Sequence, residues 1–183
     1  MDVGDPAHRI QRFEEQILPH LPDLYRAARR LVGRIDDAED LVQETCLRAF
    51  RAFDQLRRPE AAKAWVFTVL RSAFLRDAAR WAPARPGSVE IEAASSEGSR
   101  EAPAALSPWD GALIEEARLA TQRLPIAFRE VVVLAHIGGF SYREIADILG
   151  VPVGTVMSRL FRGRRLLRHA LHAGDPTRSE LGR

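Results

Sequence analysis

The segment from Ala82 to Pro108 splits this chain and limits what it can become. It holds Pro83, Pro86, Gly87, Ser88, Ser95, Ser96, Gly98, Ser99, Pro103, Ser107 and Pro108, with few large apolar side chains. Such a composition cannot bury enough surface to offset its ordering entropy, so a flexible linker over 82–108 is expected. Two blocks remain, residues 1–81 and 109–172, followed by a tail over 173–183. Each block is the size of one small domain.

Within both blocks the apolar spacing is helical, and no stretch alternates long enough to read as a strand. Ile10, Phe13, Ile17 and Leu18 mark a first helix, ended or bent by Pro19 and Pro22. Leu24, Ala27, Ala28 and Leu31 mark a second, closed by Gly33. Asp36, with Glu39 three residues on, reads as the N-cap of a third that carries Leu41, Thr45, Ala49 and Phe53. A fourth follows Arg57-Arg58-Pro59. Beyond the linker, helices are expected over 110–124, 127–137, from Ser141 to Gly150, and from Pro152 to about Leu171. The fold class is all-α: two small helical domains on one chain.

Several chemistries drop out on composition. A single cysteine, Cys46, excludes an internal disulfide framework and a cysteine-cage zinc site. Its apolar neighbours suit a buried thiol better than a redox sensor. His169 and His172 stand one helical turn apart with no third ligand in view, which suits a surface pair. No glycine-rich phosphate loop and no HExxH occurs, so an enzyme is not expected, nor a cofactor. The longest apolar run, Val131 to Ala135, cannot cross a bilayer. The acidic start, Met1 to Pro6, lacks a basic segment leading into an apolar one, and a cytoplasmic protein is expected.

Charge is unevenly placed. Residues 1–54 carry net −3, 55–81 net +4, 82–121 net −4 and 122–172 net +5. Two basic blocks around an acidic one suggest two polyanion-facing surfaces. Of the 27 basic residues all but Lys63 are arginine, a preference that suits phosphate and base recognition but also follows from a GC-rich genome.

Three motifs carry the functional reading. From Ser141 to Arg168 a short capped helix, a Gly150 turn and an arginine-bearing helix form the outline of a helix-turn-helix, whose second helix enters the major groove. Val156, Leu160 and Leu167 would face inward. Thr155, Ser158, Arg159 and Arg162 would face the bases, and Arg164, Arg165 and Arg168 the phosphates. Asp40, Gln43 and Glu44 form a polar cluster opposite an apolar face. The helix macrodipole alone explains acidic residues there, while a dock for a basic partner helix is the other reading. From Lys63 to Trp81 basic and aromatic residues interleave: Lys63, Trp65, Arg71, Arg76 and Arg80. That pattern fits an ordinary amphipathic helix, or a surface on which unstacked bases meet rings and arginines.

The order of these pieces resembles the extracytoplasmic-function (ECF) sigma factors of the bacterial sigma-70 family. Asp37-Ala38-Glu39-Asp40-Leu41-Val42-Gln43-Glu44 matches that family's region 2 octapeptide, and Ala64-Trp65-Val66 with Arg71 resembles the region 2.3–2.4 helix. Leu124-Pro125, Arg129-Glu130-Val131, Gly139 to Ala146 and Gly154 to Leu160 resemble region 4. The resemblance covers about residues 10–81 and 109–171. It implies that Asp40, Gln43 and Glu44 touch the β′ clamp helices of core RNA polymerase, with the β flap as a further contact. It implies that the loop from Gln55 to Glu60 captures a flipped base, and that Lys63, Trp65, Arg71, Ser72, Arg76 and Arg80 serve the −10 element. The helix bearing Thr155 to Arg168 would read the −35 duplex, and the acidic linker would run toward the RNA exit path.

Some positions depart from the family. Ser72 stands where asparagine is usual, Arg76 where aspartate is, and Met157 where lysine is frequent. The first two bear on −10 preference. The string from Gly154 to Arg165 is most similar to the redox-responsive branch, which implies a zinc-binding anti-sigma factor as partner. A free-standing helix-turn-helix regulator is the alternative function; it would explain residues 109–171 but leave the acidic helix and the Lys63–Arg80 stretch unused.

Overall fold

The computed structural model describes the backbone of residues 6–77 and 111–173, and the side chains of all of these except 111–114, 172 and 173. Arg80, the 82–108 segment, residues 174–183 and the side chain of His172 lie outside the described residues.

Proline sets the first break. Helix α1 (Pro6–Ile17) passes into a 3-10 turn over Leu18–His20, and α2 (Leu21–Val32) holds Pro22 in its first turn, where a missing N–H breaks no helical bond. Gly33 ends α2 at φ 99°, its N–H donating to the Arg29 carbonyl. A single extended residue, Arg34, then leads into α3 (Ile35–Arg51). Asp36 is therefore not the N-cap. The glycine turn leaves one linking residue, so the helix has begun before an aspartate can cap it. Asp36 and Asp37 fall in the first turn, 3.7 and 3.9 Å from the Arg34 guanidinium, where the macrodipole favours carboxylates. After 3-10 turns at Phe53–Gln55 and Pro59–Ala61, α4 (Ala62–Arg76) completes this half.

Its core is built from Ile17, Leu24, Leu41, Phe53, Val66, Leu70 and Phe74, each almost wholly buried. Phe13 stands edge-on to Phe50 and Phe53, with centroids 5.2 and 5.4 Å apart, an arrangement that suits the ring quadrupole. Ile10 and Leu18, although apolar at helical spacing, are exposed.

In the second half, α5 (Gly111–Gln122) stops short of Pro125, and α6 (Ile126–Val133) widens into a π turn over Leu134–Gly138. Sequence spacing predicts one regular helix through Ile137. The difference arises where Phe140 folds back over Gly138: a Cβ on Gly138 would lie 2.4 Å from that ring. Helix α7 (Tyr142–Leu149) opens with the expected capping box and ends at Gly150 in the left-handed region, φ 63°. Helix α8 (Val153–Ala173) follows.

The capping box makes a measurable prediction. The Ser141 hydroxyl and N–H donate to Glu144 at 2.7 and 2.8 Å, and the Glu144 N–H donates back to the hydroxyl at 3.3 Å. The hydroxyl first and the N–H second hold the Glu144 carboxyl below its ordinary pKa. A depressed carboxyl stabilises the fold above the ordinary carboxylate range, and that contribution is lost as pH falls through the lowered value. Ser141→Ala is expected to cost about 1 kcal/mol at neutral pH. In urea melts the deficit against wild type should shrink in acid.

The halves do not stand apart. One apolar cluster runs through both, with α2 against α5, α6 and the π turn, and α4 against α7. All described residues are in helices, turns or short loops, and no strand occurs among them.

Candidate nucleic-acid and polymerase-binding surfaces

Helix α3 buries Ala38, Leu41, Thr45 and Ala49 against the core. Its opposite face presents Asp40 and Gln43 to solvent, with Glu44 half-buried at the edge. Glu44 is not idle, since Arg48 Nε donates to it at 2.5 Å one turn along. The exposed Leu47 extends the same face. The three polar residues singled out in the sequence thus share one surface. Cys46, on the flank, is half-buried, and burial pushes its thiol pKa up, which suits a protonated, unreactive side chain.

Helix α4 divides the residues that composition had grouped. Spacings of seven and four residues bring Trp65, Ser72 and Arg76 to one outer face, with Trp65 half-buried and the other two exposed. Lys63 and Arg71 turn elsewhere. Lys63 Nζ lies 2.9 Å from Asp23 Oδ2 and 5.5 Å from the centre of the Phe140 ring. Arg71 Nε donates to Glu130 Oε1 at 3.0 Å across the two halves. Burial first raises the Glu130 pKa, and the charges of Arg71 and Arg159 work against that rise.

On α8, Val156 and Leu160 are buried as expected, and Leu167 is partly so. Ser158, Arg162, Arg165 and Arg168 are exposed, while Thr155, Arg159 and Arg164 are half-buried. The Ser158 hydroxyl donates to the Thr155 carbonyl at 3.1 Å, and Arg164 Nε to His136 Nε2 at 3.4 Å. Gly163 lets this helix approach α6: a Cβ there would meet Val132 Cγ2 at 2.9 Å. Beside the polar face, Met157 and Phe161 add an exposed apolar pair.

Sequence reasoning passed over the residues that join the halves. Arg118 Nη1 donates to the Gly33 carbonyl at 2.7 Å, Gln122 Nε2 to the Arg29 carbonyl at 3.3 Å and Arg129 Nη1 to the Leu31 carbonyl at 2.7 Å. All three carbonyls lie at the C-terminal end of α2, where cations are favoured; those of Arg29 and Gly33 also accept from the Gly33 N–H and the Arg29 guanidinium. Phe67 and Phe140 meet edge-on, centroids 4.9 Å apart. The one hint in the sequence was a charged pair, Arg129-Glu130, set directly before the apolar run that starts at Val131.

Comparison with known proteins decides what these surfaces belong to. Residues 17–82 match the family model for sigma-70 region 2, and residues 114–167 that for sigma-70 region 4. The chain is 37% identical to the ECF RNA polymerase sigma factor SigE of Mycolicibacterium smegmatis, over 97% of this chain and 68% of that protein. It is 38% identical to the ECF RNA polymerase sigma factor EcfG of Rhodopseudomonas palustris, over 87% and 85%. The chain belongs to the ECF sigma factors of the sigma-70 family. Among solved structures it is similar to the sigma factor RpoE of Bartonella quintana, in complex with the anti-sigma factor NepR (TM-score 0.66, 33% identity, 87% of this chain and 96% of that one). It is also similar to CnrH in complex with the cytosolic domain of CnrY (TM-score 0.65, 27% identity, 89% of each). Region 2, spanning α2 to α4, and region 4, spanning α5 to α8, are the two halves described above. A free-standing regulator would leave the region 2 match unexplained. These relatives establish the ECF group without singling out its redox-responsive branch.

Proposed function

We propose that this ECF sigma factor docks on core RNA polymerase through the outer face of α3, with Asp40 and Gln43 as principal contacts and Glu44 beside them. The separated −10 strand is held along α4, where Trp65, Ser72 and Arg76 already face outward and Lys63 and Arg71 lie on its flanks. Arg80, outside the described residues, is assigned to the same strand by the sequence resemblance alone. The −35 duplex is read by α8: Ser158 and Arg162 approach base edges, with Thr155 and Arg159 alongside, and Arg164, Arg165 and Arg168 meet phosphates. The chain supplies binding and melting rather than catalysis. Taking bases out of the stack costs a few kcal/mol per step, which strand contacts on region 2 must offset.

The observation that carries this reading is the presence of both matched regions on one chain, each presenting a polar helix face where its partner would dock. An anti-sigma factor is a further partner, supported by the complexes in which the two similar structures occur. Cytoplasmic location follows from the work proposed, and among the described residues no helix is long and apolar enough to cross a membrane. Among those residues, too, no cluster of three or more metal-ligating side chains forms.

Reconstitution tests the proposal. Core polymerase with the purified chain should yield discrete transcripts from genomic fragments, and Asp40→Ala combined with Gln43→Ala should abolish them while leaving the fold intact by circular dichroism. Duplex binding without any polymerase-dependent transcript would instead support the free-standing regulator.

A further inference from the structure

Away from the seam between the halves, the exposed side of α8 changes character along its length. From Val153 to Phe161 the exposed residues are Val153, Gly154, Met157, Ser158 and Phe161. From Arg162 to His169 they are Arg162, Arg165, Arg168 and His169. The large apolar side chains stand four residues apart, at 153, 157 and 161, so they form one row along the helix. Met157 is 53% exposed and Phe161 48%.

An isolated apolar residue at a surface means little. A row is different when it is confined to the half of a helix-turn-helix recognition helix that meets base edges. A Cβ on Gly154 would meet nothing within 4 Å, so the backbone at this end is open to close approach. The cations follow where the helix climbs toward the backbone, and phosphates are their partners. Neither a thioether nor a phenyl ring can donate to a phosphate, so the partner of this row in the groove is apolar. A base pair offers one apolar feature there, the 5-methyl group of thymine. Methionine suits it, because an unbranched, polarisable side chain adapts to an uneven surface.

We propose that Met157 is a specificity residue for the −35 duplex: its side chain packs on the 5-methyl group of a thymine, and Phe161 continues the apolar row one turn along. Ser158 and Arg162 follow these two in the sequence and place hydrogen bonds on neighbouring base edges, so that polar and apolar readout run side by side. Burying one methyl group gives about a fourfold preference for thymine over the same base without it. The inference rests on the −35 role proposed for α8.

The experiment removes the methyl group and nothing else. Duplexes selected from a random pool by the wild-type holoenzyme are remade with deoxyuridine in place of thymidine, one position at a time, which keeps the base pair and its O4 acceptor. Holoenzyme binding to each fluorescein-labelled duplex is followed by anisotropy. At one thymine the wild type should lose about fourfold in affinity. With Met157→Ala the two duplexes should bind alike at that position, while any penalty at other positions persists. Met157→Leu should keep most of the preference. A merely structural effect of substitution would weaken both duplexes in parallel and leave their ratio as it was.

Selected duplexes without a preferred thymine, a wild type indifferent to every replacement, or a methyl preference that survives Met157→Ala would each overturn the proposal. Indifference would turn the row into a contact for a protein partner instead. The two readings fail in different ways: a holoenzyme that selects no upstream duplex defeats the −35 role of α8 and the methyl contact with it, whereas a selected duplex insensitive to deoxyuridine defeats the methyl contact alone.

Discussion

Arg129→Met should lower the stability of the chain by about 3 kcal/mol, since bonds from a charged donor contribute about 1.5–3 kcal/mol each and abandoned buried acceptors add to the loss. Arg129 is 5% exposed. Its guanidinium donates to the Leu31 carbonyl of region 2 at 2.7 Å and, within region 4, to the carbonyls of Gln122 and Leu124, the latter at 3.0 Å. Burial pushes its pKa down, but a guanidinium starts so high that it stays charged at any working pH. Methionine fills a comparable length of space and supplies no donor. Nε is itself buried without a partner, so removing it relieves one cost and keeps the estimate below the sum of three bonds. Guanidinium chloride melts followed by circular dichroism check the figure. A change below about 1 kcal/mol would mean that water reaches these carbonyls in the native protein.

Arg162→Ala should weaken −35 duplex binding by about 2 kcal/mol, roughly thirtyfold, and relax preference at one base pair, as loss of a bidentate guanine contact does. Arg162 is exposed on α8, whereas Arg159, the other arginine among the base-facing candidates, is half-buried and its charge acts on Glu130. Arg159→Ala is therefore expected to have the smaller effect in the free chain. Arg165→Ala should behave differently: binding falls for every sequence alike, and the slope of log affinity against log salt becomes shallower by about 0.9. Anisotropy titrations at several salt concentrations separate the two patterns, using duplexes selected from a random pool by the wild-type holoenzyme. Equal losses on selected and scrambled duplexes for Arg162→Ala would remove it from the base-reading set.

What could be read in advance was whatever is encoded locally. The capping box needs residues three apart, Gly150 marks its own turn, and the inward side of α8 follows from helical spacing, so Ser141, Val156 and Leu160 stand where expected. The cap of α3 was misread although its residues are adjacent, because the register depends on how Gly33 turns rather than on the aspartates. The seam was out of reach for another reason. Its bonds join residues 59 to 98 positions apart, and several end on backbone carbonyls, which every residue possesses and no pattern advertises. Lys63 and Arg71 are assigned by resemblance to region 2, and a matching position does not distinguish a cation waiting for phosphate from one already paired with a carboxylate. The outer face of α3 is legible because nothing among the described residues buries Asp40 or Gln43.

Gly138 shows how little separates these outcomes. Its bare α-carbon is the berth for the Phe140 ring, and that ring is what reaches across to Phe67. One added methyl would act as a wedge, tilting the aromatic plug out of its seat while leaving every ionisable group as it was. The tightness of the union is thereby open to adjustment by bulk alone, with no change in the residues proposed to meet the promoter.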